Sequence, residues 1–131
     1  MRKYNLIYQP SMPINELTRL VIAVAIEIHK ELGPGFREAY YQRAMKLEFD
    51  RLQIPNEREK ETTITFNDVK IGNNKLDFVV DNRLVIELKS QPELKETNMA
   101  QMLTYLRCSG YKLGLILNFG QPKLAIKRVI L

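Results

Sequence analysis

The sequence has little of what several protein classes require. It contains one cysteine, Cys108, so no internal disulfide can form, and this favours a reducing, cytoplasmic setting. Together with the single histidine, His29, it cannot supply the four Cys and His ligands that a structural zinc site normally needs. The longest apolar run, residues 20–26, is far shorter than the ~20 residues that span a bilayer. We therefore expect no disulfide framework, no structural zinc and no membrane span.

The residues that are present fit one globular domain. The chain has 131 residues, of which 45% are hydrophobic and 27% are charged, a composition typical of a folded protein. We interpret residues 1–14, which contain Pro10 and Pro13, as an N-terminal arm, and residues 15–131 as a single domain. The net charge of +5 favours an anionic partner, with nucleic acid as the first candidate.

The spacing of apolar residues predicts an α/β fold. Three- and four-residue steps predict a helix with Asn15 as N-cap that ends at Leu32, and further helices over 36–52 and 94–109. A period of two predicts strands over 62–66, 69–71, 76–80, 83–89, 113–117 and 124–131. The order αα–ββββ–α–ββ predicts a mixed sheet flanked by helices, in which the third helix connects two parallel strands. In the second helix, one apolar stripe contains Phe36, Tyr40, Ala44 and Leu47.

One residue pattern indicates a catalytic site, and it consists of Asp77, Glu87 and Lys89. Glu87 lies among apolar residues in a strand predicted to be buried on both faces, where a carboxylate is costly unless it is paired or binds a cation. Alternation places Glu87 and Lys89 on one face, and the strand with Asp77 is its neighbour across a tight turn. Two carboxylates and a main-chain carbonyl suit Mg²⁺, and the lysine would orient the attacking water in phosphodiester hydrolysis. The alternative is a Glu87–Lys89 ion pair at a strand end.

The predicted helices supply further candidates. Gln101 and Tyr105 are four residues apart on one helical face and could donate to water or phosphate, although a surface Gln and a half-buried Tyr are the alternative. Glu38 opens the second helix, where an acid also complements the positive end of the helix dipole. Basic residues that could contact phosphate, or could simply be solvated surface charge, are Arg37, Arg43, Lys46, Lys127 and Arg128.

Two potentially reactive side chains are predicted to be structural. His29 lies beside the apolar stripe of the first helix, which favours a hydrogen bond within the fold over catalysis. Cys108 lies near the C-terminus of the third helix, where the helix dipole disfavours a thiolate. We therefore expect a buried, apolar-like cysteine at this position.

The motifs also resemble a known family. Residues 28–41, with the run Gly35-Phe36-Arg37-Glu38-Ala39-Tyr40-Tyr41, closely resemble the signature of the small proteins named GxxExxY, which belong to the PD-(D/E)XK nuclease superfamily. The resemblance continues through residues 75–77, 86–89, 101–105 and 115–120. It implies a restriction-endonuclease-like core in which a helical Glu joins the Asp and Glu at the metal and a Gln-x-x-x-Tyr helix lines the site. One position departs from the family pattern: Asn98 stands where members often carry a histidine. An amide cannot take up and release protons near neutral pH as a histidine can.

These observations together predict a Mg²⁺- or Mn²⁺-dependent deoxyribonuclease of the cytoplasm. Its metal ligands would be Glu38, Asp77 and Glu87, and Lys89, Gln101 and Tyr105 would complete the catalytic set. One alternative is a catalytically inactive protein that keeps the fold to bind nucleic acid or protein. Another is a homodimeric accessory subunit of a larger assembly.

Overall fold

Two helices precede a mixed five-stranded sheet in the computed structural model, which describes residues 4–131. The elements are α1 (Ile14–Leu32), α2 (Glu38–Arg51), β1 (Asn56–Phe66), β2 (Val69–Val80), β3 (Leu84–Lys89), α3 (Glu96–Ser109), β4 (Leu113–Asn118) and β5 (Ala125–Ile130). The predicted fold class, a mixed sheet flanked by helices, is confirmed. Within the described part of the chain, no helix is both long enough and apolar enough to cross a membrane.

The sheet has the order β1-β2-β3-β4-β5, so β3 is its central strand. Strands β1, β2 and β3 form an antiparallel meander, β3 and β4 are parallel neighbours joined through α3, and β5 is antiparallel to β4. Both the meander and the parallel crossover are as predicted. Because β3 and β4 run in the same direction, their carboxyl ends meet at one edge of the sheet, where Lys89 lies opposite Asn118.

The prediction of four strands before α3 is wrong, because β2 is continuous where a turn was expected. Gly72, Asn73 and Asn74 pair with residues 62–64 of β1, and this cross-strand pairing outweighs their local turn preference. The order is therefore αα–βββ–α–ββ. Strand β1 also begins at Asn56, earlier than predicted, because its charged first half lies at the sheet edge and carries no apolar signal.

The predicted N-cap of α1 is also wrong. The helix begins at Ile14, and its N-cap is Pro13, whose carbonyl accepts hydrogen bonds from the backbone N–H groups of Glu16 and Leu17. Asn15 instead lies in the first turn, where its side-chain oxygen accepts a hydrogen bond from Arg128 Nη2 at 2.7 Å. This contact ties α1 to β5 rather than closing the helix end.

The helices pack on the two faces of the sheet over two apolar clusters. One cluster lies beneath α1 and α2 and includes Phe78 and Ile86, and the other lies beneath α3 and includes Leu76 and Val85. Each face of the central strand β3 is therefore covered, and five of its six residues are buried. Such burial of apolar area is the main stabilising term for the fold.

The apolar stripe read from the sequence of α2 is not its buried face. The helix buries Tyr41, Met45 and Phe49, which recur every four residues, and Tyr41 stacks on Phe119 with ring centroids 4.4 Å apart. By contrast, Phe36 is 44% exposed and Tyr40 is 53% exposed. Two apolar rows share this sequence, and only contact with the sheet distinguishes them.

The segment before α1 packs against the domain. Tyr4 and Met12 are buried in the cluster beneath α1 and α2. The Tyr4 hydroxyl donates to Glu48 Oε2 at 2.6 Å, and the Tyr8 hydroxyl donates to Asp81 Oδ1 at 2.8 Å. Residues 1–3 of the predicted arm lie outside the described residues.

Of the two side chains predicted to be structural, one prediction is confirmed and the other is wrong. His29 is buried, and its Nε2 lies 2.8 Å from the backbone oxygen of Gln121, so the predicted structural hydrogen bond is confirmed. Cys108 is exposed, so the expectation of a buried thiol is wrong. It follows the buried Leu106 by two residues, or about 200° of helical rotation, which places it on the outer side of α3.

Candidate active site

An irregularity in β2 positions Asp77. Leu76 contacts the cluster beneath α3, whereas Phe78 contacts the cluster beneath α1 and α2. Side chains two residues apart on a regular strand share one face, so the alternation of β2 is interrupted at Asp77. On β1, Glu59 lies between the residues that pair with Phe78 and Leu76, and it has a positive φ of 54°. The irregular backbone lets the Asp77 carboxylate reach the neighbouring strand β3.

The Asp77 and Glu87 carboxylates each accept a hydrogen bond from the backbone of the other's strand. The backbone N–H of Asp77 donates to Glu87 Oε1 at 3.1 Å, and the backbone N–H of Leu88 donates to Asp77 Oδ2 at 2.8 Å. Carboxylate oxygens thus accept hydrogen bonds that carbonyls of a regular ladder would accept. The arrangement fixes two carboxylates side by side on adjacent strands.

Burial makes the charged form of this carboxylate pair unfavourable. Glu87 is 7% exposed, and burial followed by the charge of Asp77 raises the pKa of its carboxyl to about 8. Burial also raises the pKa of Asp77, although the Leu88 N–H and the Lys89 ammonium oppose that shift. Two such groups are ionised together readily only when a cation neutralises them. Their hard oxygen donors are the type that Mg²⁺ and Mn²⁺ prefer.

Lys89 and two residues of α3 lie around the pair. The Lys89 ammonium donates to Gln101 Oε1 at 3.5 Å. Tyr105 is half-buried, and burial raises the pKa of its hydroxyl, with further contributions from the charges of Glu87 and Asp77. The structure therefore brings together Asp77, Glu87, Lys89, Gln101 and Tyr105.

Glu38 lies in an adjoining cleft. It is exposed at the first position of α2 and lines a cleft of about 590 Å³, together with residues 35–37, Ala39, 90–92 and Gly120. Among residues 4–131, no three His, Cys, Asp or Glu side chains lie close enough to one another to hold a metal ion. Glu38 is therefore too far from Asp77 and Glu87 to share an ion with them, contrary to the prediction. Ser90 Oγ donates to the Phe36 carbonyl at 2.6 Å and connects the cleft to the end of β3.

Two asparagines hold the loop beside the site, a role that the residue pattern does not indicate. Asn118 is fully buried at the end of β4, where its Oδ1 accepts from the backbone N–H of Gln91 at 3.0 Å and its Nδ2 donates to the Gln91 carbonyl at 3.0 Å. Asn98 accepts from the backbone N–H of Lys95 at 2.8 Å and from Gln91 Nε2 at 2.7 Å. Asn98 therefore caps α3 and fixes the loop.

We expect Gly120→Ala to destabilise the protein by about 2 kcal/mol, because the new methyl group would meet the backbone of this loop. A Cβ at Gly120 would lie 2.3 Å from the Gln91 backbone nitrogen and 2.5 Å from its oxygen. Gly72→Ala is the matched control, since a Cβ there has no neighbour within 4 Å. Urea unfolding of both variants provides the measurement, and equal midpoints would contradict the expectation.

The five basic residues considered as phosphate contacts lie on different parts of the surface. Arg37 lines the cleft, and Arg43 is exposed further along α2. Lys46 forms an ion pair within α2 at 3.2 Å. Lys127 and Arg128 lie on the edge strand β5, and Arg128 is bonded to α1. Of the five, only Arg37 is among the residues that line the cleft.

The sheet, its flanking helices and the Asp77, Glu87 and Lys89 triplet define a domain of the restriction-endonuclease-like α/β class. A family model of the PD-(D/E)XK nuclease superfamily matches residues 15–129, and the chain belongs to this superfamily. No curated protein matches. Among solved structures, the chain is similar to the crystal structure of SSO0001, with a TM-score of 0.50 and 17% sequence identity over 87% of this chain and 77% of that chain. That similarity shows a shared fold.

Proposed function

We propose that this protein is a metal-dependent deoxyribonuclease related to the GxxExxY proteins. The observation that carries the proposal is the Asp77–Glu87 pair, whose carboxylates are buried on adjacent strands, accept backbone hydrogen bonds from each other's strand, and have Lys89 beside them. Nucleases of this superfamily generally use divalent metals and act on nucleic acid, and the net charge of +5 favours such a substrate. The reaction would be hydrolysis of a phosphodiester bond in DNA.

Asp77 and Glu87 would hold Mg²⁺ or Mn²⁺, whereas Glu38, the third ligand predicted from the sequence, lies in the adjoining cleft and would not contact the same ion. The fit rests on the donor chemistry, because two buried neighbouring carboxylates with raised pKa values are stabilised by a bound cation. When bound, the ion supplies Lewis-acid polarisation of the phosphate group. The hydrogen bonds from the backbone N–H groups of Asp77 and Leu88 orient both carboxylates.

Lys89 would orient the attacking water and stabilise charge that develops on the phosphate. Its ammonium lies 3.5 Å from Gln101 Oε1, and its charge lowers the pKa of both Asp77 and Glu87 against the larger effect of burial. Tyr105 would donate a hydrogen bond to a phosphate oxygen, since a tyrosine hydroxyl is protonated at neutral pH and burial raises the pKa of this one further. The water oxygen would form a bond to the phosphorus as the bond to the leaving oxygen breaks, and the leaving oxygen would gain a proton as the water loses one, which gives a phosphate monoester and a hydroxyl.

A catalytically inactive binding module is the second candidate. It is favoured by the position of Glu38, which lies in the adjoining cleft and is not joined to the Asp77–Glu87 pair. In that case Asp77, Glu87 and Lys89 would remain as a structural charge cluster, and the protein would bind nucleic acid without cleaving it. A cleavage assay with a Lys89 variant distinguishes the two functions.

We expect Mn²⁺ at about ten times its dissociation constant to raise the melting temperature of the wild-type protein by about 5 °C, because the ion binds the native state preferentially. Asp77→Asn should lose most of this rise, since it removes one carboxylate but keeps an oxygen for the Leu88 N–H. Asp68→Asn is the charge-matched control in the β1–β2 turn and should respond like the wild type. Equal rises in wild type and Asp77→Asn would contradict metal binding at this site.

A further inference from the structure

Two exposed aromatic rings contact each other at the start of α2, and one of them lines the cleft. Phe36 lines the cleft and is 44% exposed, and Tyr40, one helical turn further on, is 53% exposed. Their ring centroids are 5.8 Å apart, with an interplanar angle of 58°. Large aromatic side chains contribute most to stability when they are buried. An exposed aromatic pair beside a cleft therefore indicates a binding surface for a partner with flat apolar faces.

Phe36 is presented by a fixed backbone. Its N–H donates to the Tyr41 hydroxyl at 3.2 Å, and its carbonyl accepts from Ser90 Oγ at 2.6 Å. The Tyr41 hydroxyl in turn donates to the Gly33 carbonyl at 2.5 Å, while the Tyr41 ring is fully buried against Phe119. Binding to the Phe36 ring would therefore cost little ordering of the backbone.

Two arginines near the rings suit a nucleic-acid backbone, and Glu38, which also lines the cleft, is the one acid between the two rings in sequence. Arg37 lies between the rings in sequence and lines the cleft, and Arg43 is exposed three residues after Tyr40. The cleft also includes Ser90, the residue that follows Lys89 at the end of β3. Aromatic rings flanked by arginines are the combination that binds single strands, because unpaired bases offer free faces for stacking while phosphates contact the cations. Bases within a duplex are stacked on one another, and their faces are not accessible.

We propose that Phe36 and Tyr40 form a stacking platform for unpaired bases of single-stranded nucleic acid, with Arg37 and Arg43 contacting the adjacent phosphates. The proposal deepens the proposed function, on which it rests, because the platform would deliver a single strand to the end of β3. It makes single-stranded DNA, or the single-stranded end of a duplex, the preferred substrate.

The absence of tryptophan from the chain allows a direct test. In Phe36→Trp, the new indole would be the sole tryptophan, and stacking of a base on it should quench its fluorescence when (dT)8 is added in EDTA. Ile130→Trp is the control, because Ile130 is 66% exposed and pairs with Leu113, at the end of β4 opposite to Gly120. We expect quenching in Phe36→Trp with the single strand, little quenching with a blunt duplex, and little in Ile130→Trp with either.

A binding measurement at fixed salt completes the test. Phe36→Ala should lower the affinity for (dT)8 by roughly tenfold, and Phe36→Trp should retain it. Equal quenching by duplex and single strand, equal quenching of both tryptophans, or unchanged affinity in Phe36→Ala would overturn the platform. Because EDTA prevents metal-dependent cleavage, these readouts are separate from the proposed function. Quenching with no cleavage when Mn²⁺ is restored would overturn the nuclease and leave the platform supported.

Discussion

Lys89→Ala is expected to lower the rate of DNA hydrolysis in the presence of Mn²⁺ by about a thousandfold. The substitution removes the ammonium that we propose orients the attacking water, and it leaves Asp77 and Glu87 with their backbone hydrogen bonds. Affinity for DNA should fall only slightly, because one lysine contributes one charge to an interface made of several. The loss should therefore appear in the chemical step rather than in binding.

The control for this prediction is Lys70→Ala, which removes the same charge from an exposed position of β2. Its hydrolysis rate should remain within a few-fold of the wild type. The assay compares the three proteins on single-stranded and duplex DNA, at matched salt and protein concentration. Equal residual nicking by wild type and Lys89→Ala would indicate a contaminating nuclease, and the binding-module function would then be favoured.

The central strand was predictable from the sequence because its signal is local. Glu87 interrupts a run of apolar residues, and such a run indicates a strand covered on both faces. The strand before it is its neighbour because only the three residues 81–83 connect the two, so the sequence also places Asp77 on the adjacent strand. The helix that carries Gln101 and Tyr105 has a clear apolar row, and the structure places it against this part of the sheet.

The detailed geometry of the pair was not predictable, because it depends on an irregular backbone. Regular alternation would place Leu76 and Phe78 on one face, whereas they contact opposite clusters on either side of Asp77. The hydrogen bonds between the carboxylates and the backbone of the adjacent strand follow from that interruption. The residue pattern from Lys75 to Val80 does not indicate this interruption of the strand.

The cleft was not predictable from the sequence for a different reason. Its walls come from three segments that are distant in sequence. Its loop is held by the buried amide of Asn118, and in the sequence this residue looks like any polar residue at the end of an apolar strand. The exposed rings of Phe36 and Tyr40 belong to a row that looks as apolar as the buried row of α2. Only the packing of α2 on the sheet shows which row faces solvent.

The folded protein without metal is expected to lose stability as the pH rises from about 4.5 to about 8. Burial, followed by the charge of Asp77, raises the pKa of Glu87 from its ordinary value of 4.5 to about 8. Below pH 4.5 the group is protonated in both the folded and the unfolded chain, so its contribution to stability is fully present. As the pH rises, the unfolded chain ionises first and is favoured, until the folded carboxyl also ionises near pH 8. The raised pKa of Asp77 acts in the same direction.

Glu87→Gln should remove most of this dependence, because the amide keeps an oxygen for the Asp77 N–H but does not titrate. Urea unfolding in EDTA at pH 5, 6.5 and 8 measures the effect. Between the first and last pH, the wild type should lose up to about 4 kcal/mol more than Glu87→Gln. Carboxyl groups outside the Asp77–Glu87 pair are common to both proteins and cancel in the difference. Mn²⁺ should restore wild-type stability at pH 8 and have little effect on the variant. Parallel pH profiles for the two proteins would show that Glu87 is not held in the environment described, and that its carboxylate does not need a cation.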